Sequence, residues 1–316
     1  MRIASKKAVF ISVLAVIALL AFNSRAFAAD TARIAITYVK YPLNAPLIVA
    51  KHLGLYEQEF QADGIGVDWA DIVTGPGQAA ALASGAVQIA SVISSDAVLA
   101  SRSKGEPVRA VAVFARAPRT FCIMAKSPSV KSAGDLKGRT VAGPKGTLMH
   151  LMLLAALEKA GLKPGDATFV DMPASSAVTA LLSGGVDAAL AAGPGKMKAM
   201  AEGAREVACG DGLTKGIILT AVNEDFLKAN PGLVRRYLEV HGKALAFLRD
   251  EPARARGIIA SATGLTPEEV DRLLPEYDFS PEVTDSDKDD LKAVRDFLMG
   301  LGLISSPVDP STLFWP

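Results

Sequence analysis

The amino-acid sequence predicts an α/β protein of two lobes, each built on a mixed, mostly parallel sheet flanked by helices. Short β-branched runs alternate with longer Ala- and Leu-rich stretches of helical character over the first two thirds of the chain. This alternation is typical of parallel sheets covered by helices on both faces. A helix–Ser–Gly–strand unit occurs twice, which favours two lobes, and from Glu224 onward the pattern is mainly helical.

The predicted strands are short apolar or β-branched runs separated by turn residues and helical stretches. They are residues 33–38, 66–71, 89–92, 108–114, 122–126, 140–142, 167–171, 188–191 and 206–209. The predicted helices are rich in Ala and Leu, and several begin at a proline, a residue favoured in the first helical turn. They are residues 46–53, 78–83, 148–160, 177–182, 231–248, 252–263, 267–274 and 287–301.

The repeated unit is the sequence observation that predicts two similar lobes. The segment 82–87 reads Leu-Ala-Ser-Gly-Ala-Val, and the segment 181–186 reads Leu-Leu-Ser-Gly-Gly-Val, 99 residues later. Each copy predicts a short helix, a Ser-Gly stop at its C-terminus and then a strand. Two copies at this spacing indicate two lobes on one plan rather than a solenoid. The alternative is chance similarity in an Ala- and Gly-rich chain.

The N-terminus predicts export. Three basic residues precede an apolar run of 15 residues at 8–22, and Ala26-Phe27-Ala28 supplies the small-x-small pattern of a cleavage site. This is typical of a secretory signal peptide over residues 1–28, and the run is short for a transmembrane helix. The alternative is a retained N-terminal anchor. The predicted location is the periplasm.

The charge of the exported chain argues against two kinds of partner. The predicted signal peptide carries four basic and no acidic side chains, so 30 Lys and Arg remain against 33 Asp and Glu. A net charge of −3 disfavours nucleic acid and anionic membranes as partners. Cys122 and Cys209 are the only cysteines. Their spacing fits no metal site, and the sequence leaves open whether they form a disulfide or stay as two buried thiols.

The candidate ligand-binding residues lie where predicted strands end and helices begin. Ligands of open α/β sheets bind at this edge, and the backbone N–H groups of helix N-termini hold oxyanions there. Ordinary helix capping is the alternative for any single residue. The candidates are small or polar residues from both lobes: Asn44, Gly75, Gly77, Ser94, Ser95, Gly146, Thr147 and Gly193.

Three charged or titratable residues are also considered. Arg116 and Arg119 follow a strand that is expected to reach the boundary between the lobes. Either arginine is therefore a candidate for pairing with a ligand carboxylate, sulfonate or phosphate, with surface charge as the alternative, and Arg116 is taken as the candidate ligand contact. His150 lies at the start of a predicted helix, where it either faces the cleft or is partly buried.

Motifs for catalysis and metal binding are poor. The three histidines form no H-E-x-x-H pair, and no G-x-S-x-G elbow is present. The acidic run Asp285-x-Asp287-x-Asp289 resembles a calcium loop, but Asp290 occupies the position that requires glycine. We interpret the run as a solvated start of the last helix. The sequence therefore predicts no metal site, no cofactor and no catalytic residues.

Four stretches together resemble one protein family. They are residues 46–56 (PLIVAKHLGLY), 82–90, 132–141 (SAGDLKGRTV) and the ending 307–310 (PVDP), and they extend over nearly all of the exported chain. The chain resembles the nitrate/sulfonate/taurine class of ABC-transporter substrate-binding proteins, which have the type II periplasmic-binding fold.

The resemblance implies both a domain plan and a role. Lobe one takes residues 29–115 and 217–316, and lobe two takes residues 116–216, with crossovers near 114–121 and 209–219. The lobes close on a small anion, a sulfonate, nitrate-like ion or organic acid, and the protein docks on an ABC permease. Family members commonly carry an aromatic residue in the loop where this chain has Ala192-Gly193-Pro194-Gly195. That departure makes room for a larger ligand, so it favours an aromatic or branched organic acid over a simple alkanesulfonate.

Two other functions are weighed against solute capture. Thiamine-pyrimidine synthases share the fold but carry a Cys-rich motif, whereas this chain has two widely separated cysteines. A ligand-sensing module for a membrane receptor is not separable from a transport protein by sequence. A monomer is expected, because closing on a ligand and docking do not require a second copy.

Overall fold

The computed structural model describes residues 33–315 as ten strands and twelve α-helices. The predicted signal peptide lies outside the described residues. Within residues 33–315, no helix combines the length and the apolar character needed to cross a membrane. The strands form two five-stranded sheets, so the predicted α/β class with two lobes is confirmed.

The first sheet has the strand order β2-β1-β3-β10-β4. The second has the order β7-β6-β8-β5-β9. The strand bounds are β1 Arg33–Tyr38, β2 Gly66–Asp71, β3 Ile89–Ser94, β4 Val108–Arg116, β5 Phe121–Ala125, β6 Thr140–Gly143, β7 Thr168–Asp171, β8 Ala188–Ala192, β9 Arg205–Cys209 and β10 Ile217–Asn223.

The helices flank these sheets. Those within the alternating part of the chain are α1 Ala45–His52, α2 Leu55–Gln61, α3 Gly75–Ala83, α4 Ser95–Ser103, α5 Leu148–Lys159, α6 Ala174–Leu182 and α7 Gly193–Ala201. Those after the last strand are α8 Glu224–Ala229, α9 Pro231–Asp250, α10 Pro252–Thr263, α11 Pro267–Leu273 and α12 Asp285–Gly300.

The two sheets share one plan. In the first sheet β1 pairs in parallel with β2 and β3, and β10 is antiparallel to β3 and β4. In the second sheet β6 pairs in parallel with β7 and β8, and β5 is antiparallel to β8 and β9. Four strands of each sheet therefore run one way and one runs the other, as predicted for a mixed, mostly parallel sheet.

The repeated sequence unit occupies equivalent places in the two sheets. Helix α3 ends at Ser84 and Gly85 and leads into β3, while α6 ends at Ser183 and Gly184 and leads into β8. Both glycines have positive φ, 75° and 79°, which glycine adopts without the steric cost that a Cβ brings. The equivalence of β3 and β8 in strand order is consistent with two lobes on one plan.

Strand β10 corrects the sequence analysis, which predicted no strand between residues 210 and 223. All seven of its residues are buried, and it lies between β3 and β4 as the reversed strand of the first sheet. The chain consequently passes between the sheets at residues 117–120 and 210–216, within the expected crossover segments. The exact lobe boundaries stay a prediction.

The two cysteines form a disulfide, which answers the question left open by the sequence. Cys122 of β5 and Cys209 of β9 are register partners on neighbouring strands. Cys122 comes two residues after the first crossover, and Cys209 directly precedes the second. The bond therefore joins the two chain passages at the same end of the second sheet.

Candidate functional site

The candidate site is built from helix N-termini at the carboxyl ends of parallel strands. Helices α1, α3 and α4 follow the parallel strands of the first sheet, and α5, α6 and α7 follow those of the second. Among these six helices, only α3 has a side-chain cap, from Thr74 to the Gly77 N–H. The other five begin without one. Their first N–H groups lack intrahelical partners and attract anions.

The loop after β1 meets the loop after β8 across the two lobes. Gly193 opens α7 with φ 51°, and a Cβ built on it would lie 3.5 Å from Cε1 of Tyr41. Tyr41 is buried, and burial raises the pKa of its phenol. Gly193 therefore gives α7 both its left-handed start and its contact with the ring of Tyr41.

Three hydroxyl groups lie together beside this contact. The Tyr277 hydroxyl neighbours those of Tyr41 and Thr120, and burial raises the pKa of Tyr277 well above its ordinary value. Thr120 lies in the first crossover and is 4% exposed, while Tyr277 is 7% exposed. Neither the Thr120 Oγ1 nor the Tyr277 hydroxyl has a partner in hydrogen-bond geometry among the described residues. The three hydroxyls lie within reach of one another and form one buried polar cluster beside the contact.

The loop after β3 meets the loop after β6 in a second contact between the lobes. Asp96, in the first turn of α4, is 6% exposed and lies beside the backbone N–H of Leu148, the first residue of α5. Burial raises the pKa of Asp96 to about 6, although neighbouring N–H groups and the Ser94 hydroxyl oppose that rise. Its Oδ1 has no hydrogen-bond partner in residues 33–315.

The predicted residues of the first sheet lie in these loops. Asn44 is fully buried but does not cap α1: its Nδ2 donates to the Val39 carbonyl, and its Oδ1 has no partner among the described residues. Gly75 approaches Ser94 so closely that a Cβ would lie 2.6 Å from the serine Oγ. Gly77 donates to its cap Thr74, and Ser95 is fully buried at the start of α4.

The predicted residues of the second sheet surround the start of α5. Gly146 has φ 74°, and a Cβ on it would lie 2.1 Å from Leu303 Cδ1, so this loop packs tightly on the segment after α12. Thr147 turns its hydroxyl back to donate to the Pro144 carbonyl. His150 is buried, stacks on Phe169 and accepts the Gly146 N–H at Nδ1. His150 therefore supports the loop from within α5.

Arg116 is placed differently from its predicted role. Its Nε and both terminal nitrogens donate to Asp287, Asp278 and the carbonyls of Ser280 and Glu282. These five bonds engage all five N–H groups of the guanidinium. No donor is left for a ligand, and we therefore remove Arg116 from the proposed ligand contacts. Its pKa is raised, chiefly by the Asp287 carboxylate.

The acidic start of the last helix is solvated at Asp285 and Asp289, as the sequence suggested, but not at Asp287. Asp287 is fully buried, where it closes a capping box with Thr284 and accepts from Arg116 and Lys215. These bonds hold its pKa well below the usual range against the effect of burial. Asp290 accepts the Lys215 backbone N–H. The N-terminus of α12 thus holds the end of β4 beside the second crossover.

A groove of about 540 Å³ lies along the edge strand β9 and α5. It is lined by Arg119, Lys159, Glu206 and Cys209, among others. Arg119 is paired there with Glu206, Asp211 and Glu276. Because its charge is balanced by carboxylates, the groove is a poorer anion site than the helix N-termini.

The side chains that carry the contacts between the lobes were not among the predicted ligand-binding residues. Tyr41 precedes the predicted helix by five residues, and Asp96 lies one residue beyond the predicted pair Ser94-Ser95. Thr120 and Tyr277 are 157 residues apart and give no local signal. Of these residues, only Asp96 could have been predicted, because it lies in the first turn of a helix that follows a strand, and ligands bind at such positions.

Comparison with known proteins identifies relatives of this arrangement. A family model described as NMT1/THI5 like matches residues 42–255, more than half of the chain. A protein of Escherichia coli (strain K12) named as an aliphatic sulfonates-binding protein is 27% identical over 259 residues, which cover 80% of this chain and 79% of that protein.

Solved structures share the fold. The alkanesulfonate-binding protein of Xanthomonas axonopodis pv. citri, bound to MOPS, superposes with a TM-score of 0.79 at 24% identity, covering 91% of this chain and 99% of that one. A desulfurization enzyme superposes with a TM-score of 0.65 at 19% identity, covering 90% and 96%. The fold thus occurs in both binding proteins and enzymes.

Proposed function

The chain belongs to the NMT1/THI5-like family, and from this we propose that it is an extracytoplasmic solute-binding protein that captures a small organic anion between its two lobes for an ABC importer. The proposed ligand is a sulfonate or an organic acid. The name of the E. coli relative and the ligand in the Xanthomonas structure support the sulfonate class.

One observation carries the proposal: uncapped helix N-termini from both sheets start at loops that touch across the lobes, beside buried hydroxyls without partners. Helix N-termini and neutral hydroxyls donate to an oxyanion without a full countercharge. We assign the anionic group to the contact between Tyr41 and Gly193, where Thr120 and Tyr277 supply the hydroxyls. Asn44, Gly75, Gly77, Ser94, Ser95, Gly146 and Thr147 line or support the neighbouring loops.

The remaining parts of the proposal concern location and partner. We propose a periplasmic monomer that docks on the permease of an importer after closing on its ligand. Binding rather than catalysis is favoured because both cysteines are joined in a disulfide, so no thiol resembles the Cys-rich motif of the pyrimidine synthases. A ligand-sensing role for a membrane receptor is the alternative partner relationship.

Thermal unfolding of the purified protein against sulfonates, nitrate, aromatic carboxylates and neutral pyrimidines tests the proposal. A ligand that binds only the folded state adds about 2.7 kcal/mol at a hundredfold excess over its Kd, which raises the midpoint by a few degrees. We expect an anion to produce this shift. A shift with neutral pyrimidines alone would contradict the proposed oxyanion site.

A matched pair of variants locates the site. Tyr277→Phe removes a buried hydroxyl beside the proposed anion site, and Tyr56→Phe removes one without a hydrogen-bond partner in the core beside Tyr237. We expect the ligand-induced shift to shrink in Tyr277→Phe and to be retained in Tyr56→Phe. An unchanged shift in both variants would place the anion elsewhere.

A further inference from the structure

The disulfide borders the groove along β9. Cys122 of β5 is fully buried, whereas Cys209, at the end of β9, is half-buried and is one of the residues that line the groove. Strand β9 is the edge of its sheet, and among residues 33–315 no further strand pairs with it on the side away from β5. One cysteine of the bond is therefore open to small molecules, while the other lies in the core.

This asymmetry decides which sulfur a thiol can attack. In thiol–disulfide exchange a thiolate attacks one sulfur and the other leaves, so the thiolate approaches from the side opposite the leaving sulfur. At Cys209 that side is the open edge of β9, whereas at Cys122 it is the neighbouring strand β8. Cys122 is thus the leaving group. Its Sγ lies 3.3 Å from the Arg119 carbonyl oxygen, which accepts the hydrogen bond of a released thiol.

The groove also holds a cation without a counterion. Arg119 is paired there with Glu206 and two further carboxylates. Lys159, in the last turn of α5, is exposed and forms no ion pair within residues 33–315. Its Nζ lies 3.7 Å from the position of a Cβ built on Gly212, which follows Cys209 by three residues. A thiol that carries a carboxylate therefore finds an uncompensated ammonium group near the cysteine it attacks.

The two chain passages between the sheets stay in contact when the disulfide opens. The Gly210 N–H lies 3.2 Å from the carbonyl oxygens of both Pro118 and Phe121, and the Ala117 N–H donates to the Gly216 carbonyl at 3.1 Å. A Cβ built on Gly210 would lie 2.6 Å from the Pro118 carbonyl oxygen, so the passages pack backbone against backbone. Exchange removes a covalent link from this contact and leaves its hydrogen bonds in place, so the product is a folded protein.

We propose that Cys209 is an S-thiolation site for low-molecular-weight thiols that carry a carboxylate, which Lys159 binds. The thiol sulfur forms a bond to Sγ of Cys209, and the bond between Cys209 and Cys122 breaks. Cys122 receives the electron pair and the proton that the thiol gives up, so the exchange consumes no oxidant or reductant. This site goes beyond solute capture, because it makes the link between the two crossovers respond to thiols outside the protein.

Peptide mapping of the native protein tests which cysteine is attacked. The protein is incubated with excess 3-mercaptopropionate at neutral pH, quenched in acidic denaturant and treated with N-ethylmaleimide to mark free thiols. At early times we expect the mercaptopropionate adduct on Cys209 and the maleimide on Cys122. An adduct on Cys122, adducts on both cysteines in equal amounts, or a disulfide that stays intact in the native protein would overturn the proposal.

A pair of thiols tests the role of Lys159, because each thiol is compared only with itself across variants. 3-Mercaptopropionate carries a carboxylate, and 2-mercaptoethanol is neutral. At low ionic strength Lys159→Gln should slow exchange with 3-mercaptopropionate by about three- to fivefold and leave exchange with 2-mercaptoethanol unchanged. Lys198→Gln removes an exposed lysine of α7 outside the groove and should change neither rate. Equal slowing of both thiols in Lys159→Gln, or slowing of neither, would overturn binding of the carboxylate by Lys159.

Discussion

Replacing Asp287 with asparagine is expected to destabilise the protein strongly, although the residue lies outside the proposed site. Asp287 is fully buried and bonds to Arg116 at the end of β4 and to Lys215 in the second crossover. Removing one partner of a buried ion pair costs about 3–5 kcal/mol, because the remaining charges lose their compensation. Arg116 keeps Asp278 and two carbonyls, so we expect the lower end, about 3 kcal/mol.

The measurement is thermal unfolding at neutral pH. A loss of about 3 kcal/mol corresponds to a fall in Tm of about 6–12 °C for a protein of this size. Asp289→Asn, on the same helix but exposed and paired with the exposed Lys292, is the control and should change stability by less than about 0.5 kcal/mol. Equal melting temperatures for Asp287→Asn and Asp289→Asn would refute the role of Asp287 as the buried partner of Arg116 and Lys215.

Three further predictions concern stability and closure. Reducing the Cys122–Cys209 disulfide, which closes a loop of 87 residues in sequence separation, should cost about 4–5 kcal/mol in a chain-entropy model, measured as a lower Tm under reducing conditions. His241 is buried with both ring nitrogens unpaired in the described structure, and burial lowers its pKa to about 4. Between pH 6.5 and 4 the unfolded state binds a proton at this histidine more readily than the folded state, so the wild-type protein loses stability as the pH falls. His241→Phe lacks this loss, and its free energy of unfolding should therefore rise by about 3 kcal/mol relative to wild type across that window. A difference in Tm between the two proteins that does not change with pH would contradict this. Gly193→Ala and Gly203→Ala both force a Cβ to positive φ and should each cost about 1–2 kcal/mol. Only Gly193→Ala should also weaken ligand binding in titration calorimetry, because a Cβ built on Gly203 would meet no described atom within 4 Å apart from its chain neighbours.

Much of the fold was predictable because its pattern is local. Strands β1 and β2 and helix α10 were predicted at their observed bounds, since short apolar runs and prolines mark them in the sequence. Strand β10 was not, because its continuous apolar run has no alternation to distinguish a buried strand from a helix. Its place is decided by pairing with β3 and β4, more than 100 residues away in sequence.

The loops of the site were predictable, but their chemistry was not. Strand–helix alternation located Ser94, Ser95, Gly146 and Gly193 at strand ends. Arg116 was misassigned because its main partner, Asp287, lies 171 residues away and itself gave the pattern of an exposed helix start. The contacts between the lobes depend on how the two sheets face each other, which no local pattern specifies.

The most direct test of solute capture between the lobes is a crystal structure with a bound sulfonate. We predict a single ligand whose sulfonate oxygens lie within hydrogen-bond distance of the Tyr277 hydroxyl and of backbone N–H groups at the start of α7. A ligand bound instead in the groove along β9, or on one lobe alone, would contradict the account.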